Sequence, residues 1–226
     1  MPESGEVTAE RAAIWRALTS REAVFLLSGL VLLLLQRWYR EFGLVRVGHE
    51  TVEWHLATTV CLFVVPVGMA VGYRLGPRDL GLGLGKPAIW TRYLAVYALV
   101  MVPVVLVAGR WPSFRDYYPL YQVIERQHEF IPLSVASFGV YFFAWEFFFR
   151  GFLLLGLERR FGAYAIVIQT VPFVLMHLGK PPAEVLSAIV AGPALGLMAY
   201  RSRSFLPGWL LHWAVATALD LLVIFG

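Results

Sequence analysis

The chain has 226 residues, of which 59% are hydrophobic and only 15% are charged, and its mean hydropathy is +0.67. Soluble domains have a smaller apolar share and a larger charged share, so this composition excludes a water-soluble globular fold and indicates a membrane protein. The formal net charge of +4 does not indicate nucleic-acid binding, because the Lys and Arg residues are scattered among the loops.

Apolar stretches of helical length follow one another along the chain. Each spans roughly 17–25 residues without the period-two alternation of barrel strands, so we predict an all-α, polytopic transmembrane helical bundle. About seven helices are expected, within a range of six to eight. They are placed at about 23–39, 54–75, 90–109, 131–157, 163–178, 183–200 and 206–225. The whole chain, 1–226, is predicted to form a single integral membrane domain.

Two loops between the predicted helices invite other interpretations. The glycine-rich loop 76–88 resembles a phosphate-binding loop, but Pro87 follows Lys86 where that motif needs Ser or Thr. We therefore expect an ordinary connection there. The aromatic stretch 110–130, which includes Tyr121, is typical of an interfacial anchor. Lys and Arg are slightly more frequent in the N-terminal segment and in the loops on the same side of the membrane, which predicts that the N-terminus is cytoplasmic.

The fourth predicted helix contains both a carboxylate and a guanidinium. Glu146 and Arg150 are four residues apart, so they share a helix face and can pair. An ionisable residue at the centre of a membrane helix costs on the order of 2–3 kcal/mol, so its presence needs an explanation. One explanation is a buried ion pair that only fixes helix packing. The other is a functional, protein-lined cavity.

Further ionisable residues lie in the helices that follow. His177 ends the fifth helix, and His212 lies two turns before Asp220 on the same face of the last. Glu184, near the start of the sixth helix, is either a cavity residue or a charge favoured by the helix dipole. A carboxylate, an arginine and two histidines are groups that can activate water and stabilise an oxyanion. Zinc is the alternative, although the helical H-E-x-x-H motif is absent from the sequence.

The order of these residues resembles the three motifs of the CAAX-processing and bacteriocin-processing (CPBP, or Abi) family of intramembrane glutamic proteases. The motifs are Glu146-Phe-Phe-Phe-Arg150-Gly151, Phe173-x-x-x-His177, and His212 in the last span, and they cover residues 131–225. The resemblance implies a CPBP-like catalytic core over 131–225. It also implies an endopeptidase that hydrolyses a hydrophobic or lipid-anchored peptide or protein, surrounded by membrane lipid, without a required cofactor.

The resemblance also assigns roles to residues. Glu146 and His177 are expected to activate a water molecule, Arg150 to orient the carboxylate, and His212 to stabilise the developing charge. Trp145 and Phe173 are expected to line the substrate cavity. The implied location is the plasma membrane of a prokaryote.

Two positions depart from the family pattern. Trp145 stands where the family usually has the first of two adjacent glutamates, and Ala216 stands where Asn or Asp usually follows the last histidine. Either Glu146 is itself the base, or Glu184 or Asp220 substitutes for the missing carboxylate. The remaining alternative is an inactive member that acts as a membrane binding or immunity protein.

A transporter is a further functional class to consider. Glu146, Arg150 and Asp220 could serve a proton- or ion-coupled transporter. However, the internal repeat typical of such transporters is not evident between the two halves of the sequence.

Overall fold

The computed structural model describes residues 3–120, 129 and 131–226, with side chains from residue 8 onward. Its helices are α1 (Glu3–Leu18), α2 (Arg21–Arg37), α3 (Glu50–Gly72), α4 (Pro87–Ala108), α5 (Pro112–Arg115), α6 (Ile131–Phe161), α7 (Tyr164–Leu175), α8 (Pro182–Ser202) and α9 (Leu206–Phe225). The described residues form no β-strand. The predicted all-α class is therefore confirmed, and each of the seven predicted stretches contains a helix.

The helices differ in whether they are long enough to cross a bilayer. Among the described residues, five are both long and apolar enough, namely α3, α4, α6, α8 and α9. A sixth span results if α1 and α2, which meet at an angle of 57°, are counted as one. Helix α7 has only 12 residues, which corresponds to about 18 Å and is shorter than the hydrocarbon core of about 30 Å. It ends because a turn follows at 176–179, in which Gly179 has a φ of +95°.

Helix α6 forms the centre of the bundle. In its most apolar window 89% of the residues are buried, against 11% in α4, and it packs against α2, α3, α7, α8 and α9. Its middle part, Phe147–Leu155, is wound as a π-helix. Phe147, Phe148, Phe149 and Phe152 are fully buried in this part. Side chains of this π-helical part therefore project into protein on every side, and a polar group there is kept from lipid.

The loop between α3 and α4 packs against the turn between α8 and α9. Gly81 and Gly85 both have positive φ, and a Cβ atom on Gly85 would overlap the carbonyl oxygen of Ser202. The backbone N–H of Lys86 donates to this oxygen at 2.7 Å. The glycines thus allow a close approach between two backbones, as expected for a connection and not for a phosphate site.

The segment after α4 packs against the C-terminal helices. Phe114 and Tyr118 are buried, whereas Trp111 is exposed. The hydroxyl of Tyr118 donates to Glu184 of α8 at 2.7 Å. Tyr121, which belongs to the predicted interfacial stretch, lies outside the described residues. The described part of this stretch is therefore more than a surface anchor, because it contributes to the packing of α8.

Candidate active site

Glu146 is held where the α-helical part of α6 changes to the π-helical part. Its side chain is fully buried. Its Oε1 atom lies 3.1 Å from Nη1 of Arg150 and 2.8 Å from Nδ1 of His212 in α9. The pair predicted from the four-residue spacing is therefore present, and a third group from another helix joins it at the same oxygen atom.

Arg150 is a fully buried cation. In addition to the contact with Glu146, its Cζ atom lies 4.2 Å from the centroid of the Phe173 ring in α7. An arginine over an aromatic face is stabilised by the negative potential of the ring, and more so where water is excluded. Its Nε and Nη2 atoms donate no hydrogen bond to the described residues. One carboxylate oxygen and the rings of Phe173 and, at 5.8 Å, Phe149 thus compensate the charge.

His177 follows α7 and is fixed by its own turn of chain. Its Nδ1 atom lies 2.7 Å from the carbonyl oxygen of Phe173. Since a carbonyl oxygen only accepts, Nδ1 carries the proton and donates it, which leaves Nε2 as the acceptor of the neutral ring. The ring centroids of His177 and Phe173 are 4.6 Å apart. His177 is therefore held in the tautomer that can accept a hydrogen bond from water.

Phe173 lies at the middle of the four candidate residues. Its ring contacts Arg150 and His177, and its centroid is 6.3 Å from that of His212. It is only 1% exposed, so the contacts of this ring with Arg150 and His177 are shielded from solvent. The structure thus assembles Glu146, Arg150, His177 and His212 from α6, α9 and the end of α7.

Trp145 forms an aromatic wall beside the histidine. Its ring stacks with Tyr141 at 5.7 Å between centroids and meets that of His177 edge-on at 6.1 Å. Its Nε1 atom is buried and donates to none of the described residues. The position where the family usually has a glutamate is therefore occupied by an apolar surface with one free donor.

Glu184 is bound by two partners away from this cluster. Its Oε1 atom lies 2.6 Å from Nζ of Lys180, and its Oε2 atom accepts the hydrogen bond from Tyr118. It makes no hydrogen bond or ion pair with Glu146, Arg150 or the two histidines within the described residues. Glu184 therefore makes no direct contact with the four residues of the cluster, although its carboxylate interacts electrostatically with His177.

Asp220 is likewise engaged elsewhere. Its Oδ1 atom accepts a hydrogen bond from the backbone N–H of Leu120 at 3.3 Å, and its buried Oδ2 atom has no hydrogen-bond partner among the described residues. Two helical turns separate it from His212, which is about 12 Å along the axis. His212 pairs with Glu146, so Asp220 is a partner of neither His212 nor Arg150.

The donor set for zinc is not assembled in the described part of the chain. No group of three or more His, Cys, Asp or Glu side chains there lies close enough to hold a metal ion. In addition, Glu146 directs the same oxygen atom to the guanidinium of Arg150, whose positive charge would repel a divalent cation. The residues present therefore do not fit the open zinc site that was the alternative.

Two contacts of this region were not predicted from the sequence. The direct hydrogen bond between His212 and Glu146 joins α9 to α6, and no spacing within one helix could indicate it. The pair of Lys180 with Glu184 has the four-residue spacing typical of helical ion pairs. This spacing in the sequence could therefore have predicted the Lys180–Glu184 pair.

Comparison with known proteins places the cluster within one family segment. Residues 127–218 match the family model described as Type II CAAX prenyl endopeptidase Rce1-like, and Glu146, Arg150, His177 and His212 all lie inside this match. Among curated proteins and solved structures, nothing matches the chain. The apolar helices and this match together indicate an integral membrane protein with a segment similar to a protease family. The resemblance of the three motifs is thus confirmed: residues 127–218 are similar to the Rce1-like CAAX protease family.

Proposed function

We propose that this protein is an intramembrane endopeptidase in which Glu146 is the catalytic base. One observation carries the proposal: Oε1 of Glu146 is held by Arg150 and His212, whereas its buried Oε2 atom accepts no hydrogen bond from the described residues. A carboxylate fixed through one oxygen atom can accept a proton at the other. Trp145 does not remove the base, because Glu146 itself has the orientation needed.

In the proposed reaction, a water molecule binds between Oε2 of Glu146 and Nε2 of His177. Glu146 takes one proton, and the water oxygen attacks the carbonyl carbon of the peptide bond. His212, as an imidazolium beside the carboxylate, donates from Nε2 to the oxyanion that forms. The proton then passes from Glu146 to the leaving amine nitrogen as the C–N bond breaks. Arg150 holds the carboxylate throughout.

The proposed substrate is a hydrophobic or lipidated peptide that reaches the site from the membrane. The support is the burial of Glu146, Arg150 and His177 within the helical bundle and the family match, whose description names prenyl endopeptidases. The surrounding bilayer would be the plasma membrane of a prokaryote, as the resemblance to bacterial members implies. We also propose that the reaction requires no metal, because Arg150 neutralises the carboxylate that a metal would need.

Cleavage of membrane-anchored and prenylated peptides by the purified protein in lipid nanodiscs tests this proposal. Glu146→Gln should abolish cleavage, because an amide cannot take the proton. Glu158→Gln is the matched control, since Glu158 lies in the same helix but pairs with Arg203. Cleavage should also survive a chelator. Equal cleavage by wild type and Glu146→Gln would refute the proposal. Loss of cleavage on chelation would instead indicate a metal-dependent reaction.

The second candidate function is peptide binding without hydrolysis. Trp145 favours it, because an aromatic wall replaces the usual first glutamate of the family beside His177. In this case the wild type would bind a peptide from the same panel in nanodiscs and leave it intact. Binding and cleavage measured on the same samples therefore distinguish the two functions.

A further inference from the structure

We propose that Gly208 is a positioning residue of the reaction, because its missing side chain provides the space for the water at Glu146. This inference rests on the proposed function. Gly208 lies in α9, one helical turn before His212, so the two residues share a face of the helix. That face is directed at Glu146, as the hydrogen bond of His212 shows.

The distances at Gly208 define which oxygen of the carboxylate it faces. A Cβ atom built on Gly208 would lie 3.1 Å from Oε2 of Glu146 and 3.7 Å from the Cε atom of Met198. Oε2 is the oxygen atom that accepts no hydrogen bond from the described residues. The Cα of Gly208 and the methyl group of Met198 are thus walls of the space in front of this atom.

The backbone conformation at position 208 does not require glycine. Gly208 lies within the first turns of a regular helix and is not among the described glycines with positive φ. Inside a helix, glycine is less favourable than alanine because of its greater freedom in the unfolded chain. Glycine at position 208 is therefore explained by the space that its missing side chain leaves beside Glu146.

The chemistry of the carboxylate shows what the space must hold. A buried ionised carboxylate needs hydrogen bonds at both oxygen atoms, since an unsatisfied acceptor keeps its full desolvation penalty. At Oε1 these come from Arg150 and His212. At Oε2 the donor must be a small molecule, and in a hydrolase this donor is the attacking water. A methyl group on residue 208 would occupy the position of this water molecule.

Kinetics and radiolytic footprinting of the protein in nanodiscs test the inference together. In Gly208→Ala we expect kcat to fall at least about 100-fold while KM stays within about threefold and the thermal midpoint does not fall. The matched control is Gly68→Ala, where a Cβ atom meets nothing within 4 Å. A loss of packing alone would instead lower the midpoint and leave kcat of the folded protein unchanged.

Footprinting detects the water without a substrate. Met198 is 0% exposed, so hydroxyl radicals should oxidise it only when a bound water lies beside it. We expect oxidation of Met198 in the wild type and at least about fivefold less in Gly208→Ala, with Met101 as the internal reference. Equal oxidation in both proteins, or none in the wild type, would overturn the inference.

The two proposals fail in different ways. If Glu146→Gln abolishes cleavage but Gly208→Ala retains kcat within about threefold, only the role of Gly208 is wrong. If Glu146→Gln cleaves like the wild type, the proposed function is wrong. If the wild type cleaves none of the peptides, the difference in Met198 oxidation between wild type and Gly208→Ala alone decides whether Gly208 forms the water site.

Discussion

The guanidinium of Arg150 lies over the ring of Phe173, with 4.2 Å between its Cζ atom and the ring centroid. The same ring packs against His177, which belongs to the other side of the cluster. Phe173 thus connects the two residues that we propose orient the carboxylate and the water. Several expected effects of substitution follow from this arrangement.

Phe173→Leu should reduce cleavage about tenfold. Leucine keeps the site apolar but has no aromatic face, so Arg150 loses a cation–π contact of about 0.5–2 kcal/mol, and a loss of about 1.4 kcal/mol in the transition state is tenfold in rate. The measurement is kcat with the nanodisc substrate. Phe205→Leu is the matched control, because Phe205 is also fully buried but its ring packs against Phe143 and Phe147. Equal kinetic effects in the two variants would contradict the role of Phe173.

Arg150→Leu should destabilise the protein strongly. It leaves the buried carboxylate of Glu146 without its guanidinium, and removal of one partner of a buried pair typically costs about 3–5 kcal/mol. The double variant Glu146→Gln with Arg150→Leu should recover most of this loss, because both members of the buried ion pair are then replaced by uncharged side chains. Thermal unfolding in detergent measures the four proteins of this cycle. Additive losses would show that the two residues do not stabilise each other.

Tyr118→Phe should weaken the fold and leave cleavage intact. The variant loses the hydrogen bond to Glu184, and a hydrogen bond to a charged group contributes about 1.5–3 kcal/mol. Glu184 keeps its pair with Lys180 and lies outside the site, so kcat should stay within about threefold. Tyr117→Phe is the control, since Tyr117 is 37% exposed. A large loss of kcat would indicate that Glu184 takes part in catalysis.

The stabilising effect of Tyr118 should depend on pH. Its burial, and then the neighbouring Glu184 carboxylate, raise the pKa of Tyr118 well above the usual value. A phenol in the unfolded chain ionises near pH 10, so above this pH ionisation favours the unfolded state. The difference in unfolding free energy between wild type and Tyr118→Phe should be constant below about pH 9 and shrink above about pH 10. A difference that grows with pH would contradict this sign.

Asp220→Asn should preserve both fold and cleavage. Asparagine keeps an oxygen atom for the backbone N–H of Leu120, and it removes a carboxylate whose second oxygen has no described partner. Unfolding temperature and kcat are the measurements, and Asp220→Leu, which lacks the acceptor, is the comparison. Loss of cleavage in Asp220→Asn would place Asp220 in the reaction as the substitute for the missing family glutamate.

The sequence predicted the contacts that lie within one helix and missed those between helices. The four-residue spacing of Glu146 and Arg150 predicted their pair, which is present at 3.1 Å. The eight-residue spacing of His212 and Asp220 placed them on one face of the last helix, but each contacts a different element. Which helices pack together depends on shape complementarity across the bundle, and one sequence without relatives does not reveal it.

The lengths of the helices were predicted only in part. Hydropathy placed the stretch 163–178 in the membrane, but the helix there ends at Leu175, and Gly179 with its positive φ was not used as an end signal. The π-helical winding of α6 was also not predicted. It depends on how the phenylalanines of Phe147–Leu155 pack against several neighbours at once, and periodicity alone does not show this.

The π-helical part divides α6 into two lengths of helix with separate angular phases. Hydrogen bonds of the π type connect residues five apart, so Phe147–Leu155 holds more residues per turn than an α-helix. A π-helical part accommodates an extra residue within an α-helix, so deleting one residue from it would let the chain return to α-helical winding with little rotation of the helix beyond. Glu146 would still face His212, and Glu158 would still face Arg203. The π-helical part thus holds additional residues next to Glu146 without changing the direction of the contact that fastens the far end of α6.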